Sequence, residues 1–287
     1  MTPALSPVPE TMLWTLHNRA SEAARPDGCL CDPKCLQIYR ALDYDYVRHF
    51  GVADGSHGVR SQLFDEHVRA FLAEHPDGVV VNLGDGLETQ CFRIDNGRAL
   101  WISVDLPEAM ALRERFIAPD ARRLHLACSA LDSAWFDAVP PGREVFIAAQ
   151  GLFMYFQGHD VAGLVKRLAA RFPGAILMFD YLNRMLSRRS LSPAGWMKTP
   201  HYRTPPMPWG IDRDGLVPTF SAWLGQPVQV HHVSFRFPRG VRKWLLPWLE
   251  KFPDIRRFFP GVCWLQLPPA ADRARQQDAA RAAAACA

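Results

Sequence analysis

Five short apolar runs limit what this chain can fold into. They lie at 78–83 (GVVVNL), 99–104 (ALWISV), 123–127 (RLHLA), 144–149 (EVFIAA) and 175–179 (AILMF). Runs of this length without polar alternation predict strands buried on both faces, as in parallel sheets. Helical spacing lies between several of them, for example over 159–172. Strands alternating with helices predict an α/β fold built on a doubly wound, mostly parallel sheet.

The rest of the chain is read around that sheet. Helical periodicity is expected over 11–25, 33–42 and 57–73, ahead of the first strand. Residues 1–10 hold three prolines and predict a flexible arm. Residues 181–215 are rich in proline, arginine and aromatics (WMKTPHYRTPPMPWGID within them), and so long an interruption predicts a lid. A helix is expected at 215–224, and 228–234 with 262–267 are expected to close the sheet as an antiparallel pair. The segment 236–257 (RFPRGVRKWLLPWLEKFPDIRR) mixes charges along an amphipathic stretch, which predicts a solvated helix with an apolar underside. A polar, alanine-rich flexible tail is expected over 271–287, so one domain is expected over 11–270.

Composition excludes several classes. The net charge is +4, from 33 basic and 29 acidic side chains spread along the chain. Nucleic-acid binding needs a concentrated basic face, so none is expected. No run approaches the roughly 20 apolar residues that cross a bilayer, and the N-terminus lacks the charged start and apolar stretch of a signal peptide. No membrane association and a cytoplasmic location are therefore expected. The seven cysteines are expected as free thiols. Cys29, Cys31 and Cys35 do not have zinc-ligand spacing, so no metal is expected.

The sharpest local signal is Gly84-Asp85-Gly86 at the end of the first buried run. Glycine there lets the backbone approach a ligand closely. Asp105 follows the second run, about 20 residues on, where an acid accepts hydrogen bonds from ribose hydroxyls. A dinucleotide site favours a third glycine, and Thr89 stands in that place. The pattern therefore points to a nucleoside without phosphate. At the third strand end, Asp132 in Cys128-Ser129-Ala130-Leu131-Asp132 either receives an adenine amine, with Leu131 beside the ring, or caps the helical segment 133–138. At the fourth, Gln150 meets the same cleft, and Tyr155 is aimed toward it.

Taken in order, RASEAARPDGCLCDP, RSQLFD, VVNLGDGLETQCFRI, WISVDLPEA, ACSALDSAW and AAQGLFMYF resemble the leucine carboxyl methyltransferase family. The closer likeness is to its bacterial, tetracenomycin-type branch of polyketide O-methyltransferases. The likeness covers roughly residues 10 to 180. It implies a Rossmann-like class I methyltransferase fold and S-adenosylmethionine as cofactor. Arg60 would hold the methionine carboxylate; by its sequence alone it reads as a surface helical arginine. Gly84, Asp85 and Gly86 would meet the methionyl part. Asp105 and Leu106 would meet the ribose end, and Ser129, Ala130, Leu131 and Asp132 the adenine. Many relatives carry Gly-Ala-Gly, Asp-Thr-Arg and a glutamate where this chain has Gly84-Asp85-Gly86, Glu88-Thr89-Gln90 and Gln150, and a subgroup shares the last change.

The implied activity is methyl transfer to an oxygen of a small secondary-metabolite-type acceptor, free or tethered to a carrier protein. Gln150, Tyr155 and Tyr181 are the candidate catalytic residues. His201, Tyr202 and Trp209 are further candidates near the acceptor, and His231 and His232 are expected to be structural. A neutral amide at Gln150 raises an alternative. If the cofactor's α-amine loses its charge, it is a nucleophile that closes a four-membered ring and expels methylthioadenosine, so that the cofactor itself is the substrate. A carboxylate at Asp85 would oppose this by restoring the charge. A non-catalytic cofactor-binding partner protein is the third reading.

Overall fold

All five runs form strands, and they are neighbours in one sheet. The computed structural model describes residues 5–256 and 258–269. In chain order the elements are α1 (Pro7–Ala23), α2 (Pro33–Ala41), α3 (Tyr46–Phe50), α4 (Ser56–Glu74), β1 (Val79–Leu83), α5 (Gln90–Ile94), β2 (Leu100–Asp105), α6 (Pro107–Glu114), β3 (Arg123–Ala127), β4 (Val145–Ala149), α7 (Gly158–Arg171), β5 (Ile176–Tyr181) and α8 (Arg184–Leu191). They continue as β6 (Met197–Thr199), β7 (Tyr202–Arg203), α9 (Leu216–Leu224), β8 (His231–Val233), α10 (Val241–Leu249), α11 (Pro253–Arg256) and β9 (Gly261–Gln266).

The sheet order is β3-β2-β1-β4-β5-β9-β8. β1 to β5 are parallel, while β9 pairs antiparallel with both β5 and β8. The expected closing pair is therefore present. Strand order reverses at β1, which lies between β2 and β4, and in open sheets such a reversal opens a crevice at the strands' carboxyl ends. β1 is buried on both faces. Val79, Val81 and Leu83 enter one core with Ile147, Phe153 and Leu177; Val80 enters the other with Phe64, Trp101 and Phe146. This two-sided burial is why its sequence reads as an unbroken apolar run.

One expectation is corrected. The proline-rich start is not an arm throughout, because α1 begins at Pro7. Proline suits a helix's first turn, where its missing N–H would have had no partner. Residues 1–4 of that arm and the tail 271–287 lie outside the described residues. Residues 181–215, expected as a lid, carry regular structure over much of their length. Tyr181 ends β5, and the stretch then forms α8, the β6–β7 hairpin and a single 3₁₀ turn at Arg213–Gly215. It is tied down by Ser187 Oγ donating to the Met207 carbonyl (2.8 Å) and by Thr199 Oγ1 donating to the His49 carbonyl (2.8 Å).

The underside expected for 236–257 is uncovered. No residue of α10 is buried, and Val241, Trp244, Leu245 and Trp248 are all exposed. Among the described residues no helix is long and apolar enough to cross a membrane.

A buried ion cluster ties the N-terminal helices to the sheet. Glu88 Oε1 lies 2.8 Å from Arg19 Nη1 and 2.7 Å from Arg93 Nη1. Arg93 also reaches Asp65 (2.7 Å) and Asp32 (2.6 Å). Burial raises the cost of charging Glu88, but Arg19 and Arg93 outweigh it and hold the carboxyl well below its ordinary range. Deleting one member strands the others' charges in the interior. Arg93→Ala is therefore expected to lower the unfolding free energy in urea by about 3–5 kcal/mol. Arg98→Ala, which breaks an exposed pair with Asp77, is expected to leave the midpoint in place. Equal effects would contradict the cluster's role.

Candidate active site

The crevice at the carboxyl ends of β1, β2 and β4 opens into a cleft of about 980 Å³, part of it open to solvent. Its floor is the glycine turn. Gly84 and Gly86 have φ of +66° and +46°, a region that side chains disfavour. A Cβ on Gly84 would lie 2.9 Å from Leu152 Cδ1, and one on Gly86 would lie 2.8 Å from Met12 Cβ. The turn is therefore both left-handed and closely packed under α1.

Asp85, between them, is turned into the protein. Its carboxylate pairs with Arg113 (2.8 Å) and accepts from Ser103 Oγ (2.5 Å). Burial pushes its pKa up to about 6, with Arg113 pulling the other way. Asp105 accepts from Gly86 N (2.6 Å) on one oxygen and Leu106 N (2.7 Å) on the other. It thus clamps the turn to the end of β2 and keeps lone pairs for a ligand. Burial raises its pKa, against the pull of those two amides.

Arg60 reaches the cleft from α4. Its Nη1 pairs with Asp180 (2.7 Å), whose other oxygen accepts from Gly151 N. Gly151 has φ of +70°, and a Cβ there would lie 3.0 Å from Arg60 Nη1, so the glycine admits the guanidinium. Arg60 is buried, and the surface reading of it is thereby set aside. Gln150 lines the same wall and donates from Nε2 to Ser61 Oγ (3.0 Å). Tyr155 lines the wall beyond; burial raises its pKa, while a hydrogen bond with Thr11 and the nearby Arg60 lower it.

The structure therefore brings Arg60, Gly84, Asp85, Gly86, Asp105, Leu106, Ser129, Ala130, Gln150 and Tyr155 around one cleft. Three predicted site residues do not line it. Leu131 packs against the core and lends its carbonyl to Arg167. Asp132 is exposed and closes a turn by accepting from Ser129 N (3.1 Å); Ser133, not Asp132, is the cap of the 3₁₀ turn Ala134–Ala138. Tyr181 is buried where β5 meets Gly261 of β9, its hydroxyl 3.3 Å from His232 Nδ1, which removes it from the candidate catalytic set. Of the further candidates, His201 is exposed, Tyr202 packs on Phe50, and Trp209 sits in the core beside Phe153. His231 stacks on Trp264.

Sequence reasoning missed the roof and part of the floor. Val8, Pro9, Thr11, Met12 and Thr15 of α1 line the cleft. Asp180 was visible only as an acid at the carboxyl end of a buried strand. Arg60 Nε and Asn82 Oδ1 are buried with no partner among the described residues, and groups of this kind call for a polar ligand or water. Among the described residues no group of three His, Cys, Asp or Glu side chains is placed to hold a metal.

No protein-family model matches the chain. It is similar to the tetracenomycin polyketide synthesis O-methyltransferase TcmP of Streptomyces glaucescens, 33% identical over 179 residues, which are 61% of this chain and 66% of that protein. The chain is a relative of S-adenosylmethionine-dependent methyltransferases. A second such protein, dpfgK of Gibberella zeae, is 28% identical over 182 residues, 57% of this chain and 61% of its own length. The chain thus spans just under two thirds of these relatives. An O-methyltransferase family protein from Burkholderia thailandensis aligns over 92% of this chain and 72% of its own at 16% identity, with a TM-score of 0.45, a likeness too loose to bear on function.

Asp85 gives a pH test of the turn. Its folded pKa is above its unfolded value, so the folded protein holds an extra proton between about pH 4 and about 6. The stability this proton confers is present below that window and lost as pH rises through it. The denaturation midpoint of the wild type is expected to fall relative to Asp85→Asn across the window and to run parallel above it. A constant gap would contradict the burial of Asp85.

Proposed function

We propose that the cleft binds S-adenosylmethionine and that the chain methylates an oxygen that is already anionic on a small acceptor. One observation carries the second half. Every acidic or basic side chain lining the cleft is already committed. Arg60 is held by Asp180, Asp85 by Arg113, Glu88 by Arg19 and Arg93, and Asp105 by two amides. The Tyr155 hydroxyl is pushed up by burial. With the remaining lone pairs of Asp105 given to the ribose, no described lining residue is left to take a proton from an acceptor at neutral pH, and a carboxylate needs none taken.

The residues fit the cofactor. The glycine turn leaves room where a Cβ would collide, Arg60 keeps an unpartnered Nε, and Asp105 keeps lone pairs for a ribose. When bound, S-adenosylmethionine supplies an electrophilic methyl group on a charged sulfur. The chain's own part is positioning. Arg60 would take the methionine carboxylate, Asp105 the ribose, and Ser129 with Ala130 the nucleobase edge. α1 and the turn Phe153–Tyr155 wall off water and hold the acceptor in line, the main contribution a protein makes to such a displacement. The likeness to TcmP supports a polyketide-type acceptor.

The second reading, cyclisation of the cofactor, gains one observation. Asp85 was the residue placed to keep the α-amine charged, and its carboxylate is taken by Arg113 and Ser103. In that reaction the amine lone pair forms the new bond to the γ-carbon, the carbon–sulfur bond breaks onto sulfur, and the ammonium proton leaves to solvent.

The test is incubation with S-adenosylmethionine and a panel of carboxylic acids and phenols, with the nucleoside product identified by mass spectrometry. S-adenosylhomocysteine is expected with an acid, at a rate flat from about pH 6 to about 9 and within about threefold in Tyr155→Phe. A loss of two orders of magnitude in Tyr155→Phe would overturn the base-free mechanism. Methylthioadenosine formed without any acceptor would replace methyl transfer by cyclisation.

A further inference from the structure

We infer that Ser61 is a positioning residue that turns the Gln150 amide so that its oxygen, and not its NH₂, is offered to the cleft. There the oxygen receives a hydrogen bond from the α-amine of a bound amino-acid moiety. The inference rests on the cofactor reading above and deepens it.

Glu88 anchors a chain of hydrogen bonds that runs through Ser61 to Gln150. The Oε1 of Glu88 meets Arg19 and Arg93 and accepts from Thr89 N (2.8 Å). Two guanidinium groups at this range keep the carboxyl ionised, and an ionised carboxylate only accepts hydrogen bonds. Ser61 Oγ lies 2.9 Å from Glu88 Oε2, so its single proton points there. Lone pairs are all that Ser61 has left for its other neighbour.

That neighbour is Gln150, at 3.0 Å. Only the Nε2 end of the amide can donate to Ser61; the Oε1 end would set acceptor against acceptor. The two ends of an amide look alike in shape, and here the chemistry of the chain Glu88–Ser61–Gln150 chooses between them. Oε1 is left as the polar atom Gln150 brings to the cleft. Among the described residues no protein donor reaches it. An acceptor without charge then stands on the wall shared with Arg60 and Gly151, where an amino-acid moiety would lie with its carboxylate on Arg60.

Ser61 reaches the ligand only through Gln150, and that gives the test its shape. Two probes are titrated by calorimetry: S-adenosylhomocysteine, which carries the α-amine, and methylthioadenosine, which lacks it. Ser61→Ala is expected to weaken the first about three- to tenfold, the usual worth of one hydrogen bond, and to leave the second within about twofold. Gln150→Ala is expected to do the same. The double variant is expected to be no weaker than Gln150→Ala alone, since coupled residues are not additive. Equal weakening of both probes in Ser61→Ala, an unchanged affinity for S-adenosylhomocysteine, or additive losses would overturn the role of Ser61. A wild-type protein that binds neither probe would overturn the cofactor reading and this one with it.

Discussion

The carboxylate of Glu88 joins parts of the molecule that are distant in sequence. Through Arg19 it holds α1, through Ser61 it holds α4, and through Arg93 it is linked to Asp32 at the start of α2 and Asp65 on α4. It follows the glycine turn by two residues. Isolated buried charges are costly, so each partner has to be present for the others to be tolerated. The consequence is geometric: the N-terminal helices are brought over the one crevice that the sheet's strand order creates.

This explains why the cleft has two kinds of wall. The floor is backbone and acid, formed where β1 and β2 end. Asp105 fixes the turn to the end of β2 by accepting from Gly86 N on one oxygen and from Leu106 N on the other, while Asp85 is drawn beneath it by Arg113. The roof is α1, with Met12 pressed against the space beside Gly86. Charged groups around the cleft are paired off by neighbours from other elements. A site of this kind is suited to holding a charged nucleoside conjugate and shielding it, and less suited to moving protons.

The five strands were legible because burial on both faces leaves an apolar run that needs no context. The glycine turn and Asp105 were legible because a strand end with two glycines, followed by an acid at the next strand end, has few other uses. What was hidden depends on contacts between distant residues. Arg60 reads as a surface arginine on its own helix; only Asp180, 120 residues away, makes it a buried one. The first turn of α1 was hidden by its prolines, which break helices in the interior but favour the first turn. Tyr181 was misplaced because it ends a strand on the cleft side of the sheet, yet β9 pairs over it. Asp132 kept a local role in its turn, a choice between ligand and backbone that sequence leaves open.

The central claim is that the crevice beneath α1 is an S-adenosylmethionine site. A crystal structure of the protein grown with S-adenosylhomocysteine tests it most directly. The account predicts the ribose hydroxyls on Asp105, the nucleobase beside Ser129 and Ala130, and the amino-acid carboxylate on Arg60. A ligand bound elsewhere, or a protein saturated with the ligand whose Met12 still rests on Gly86 over an empty cleft, would contradict it.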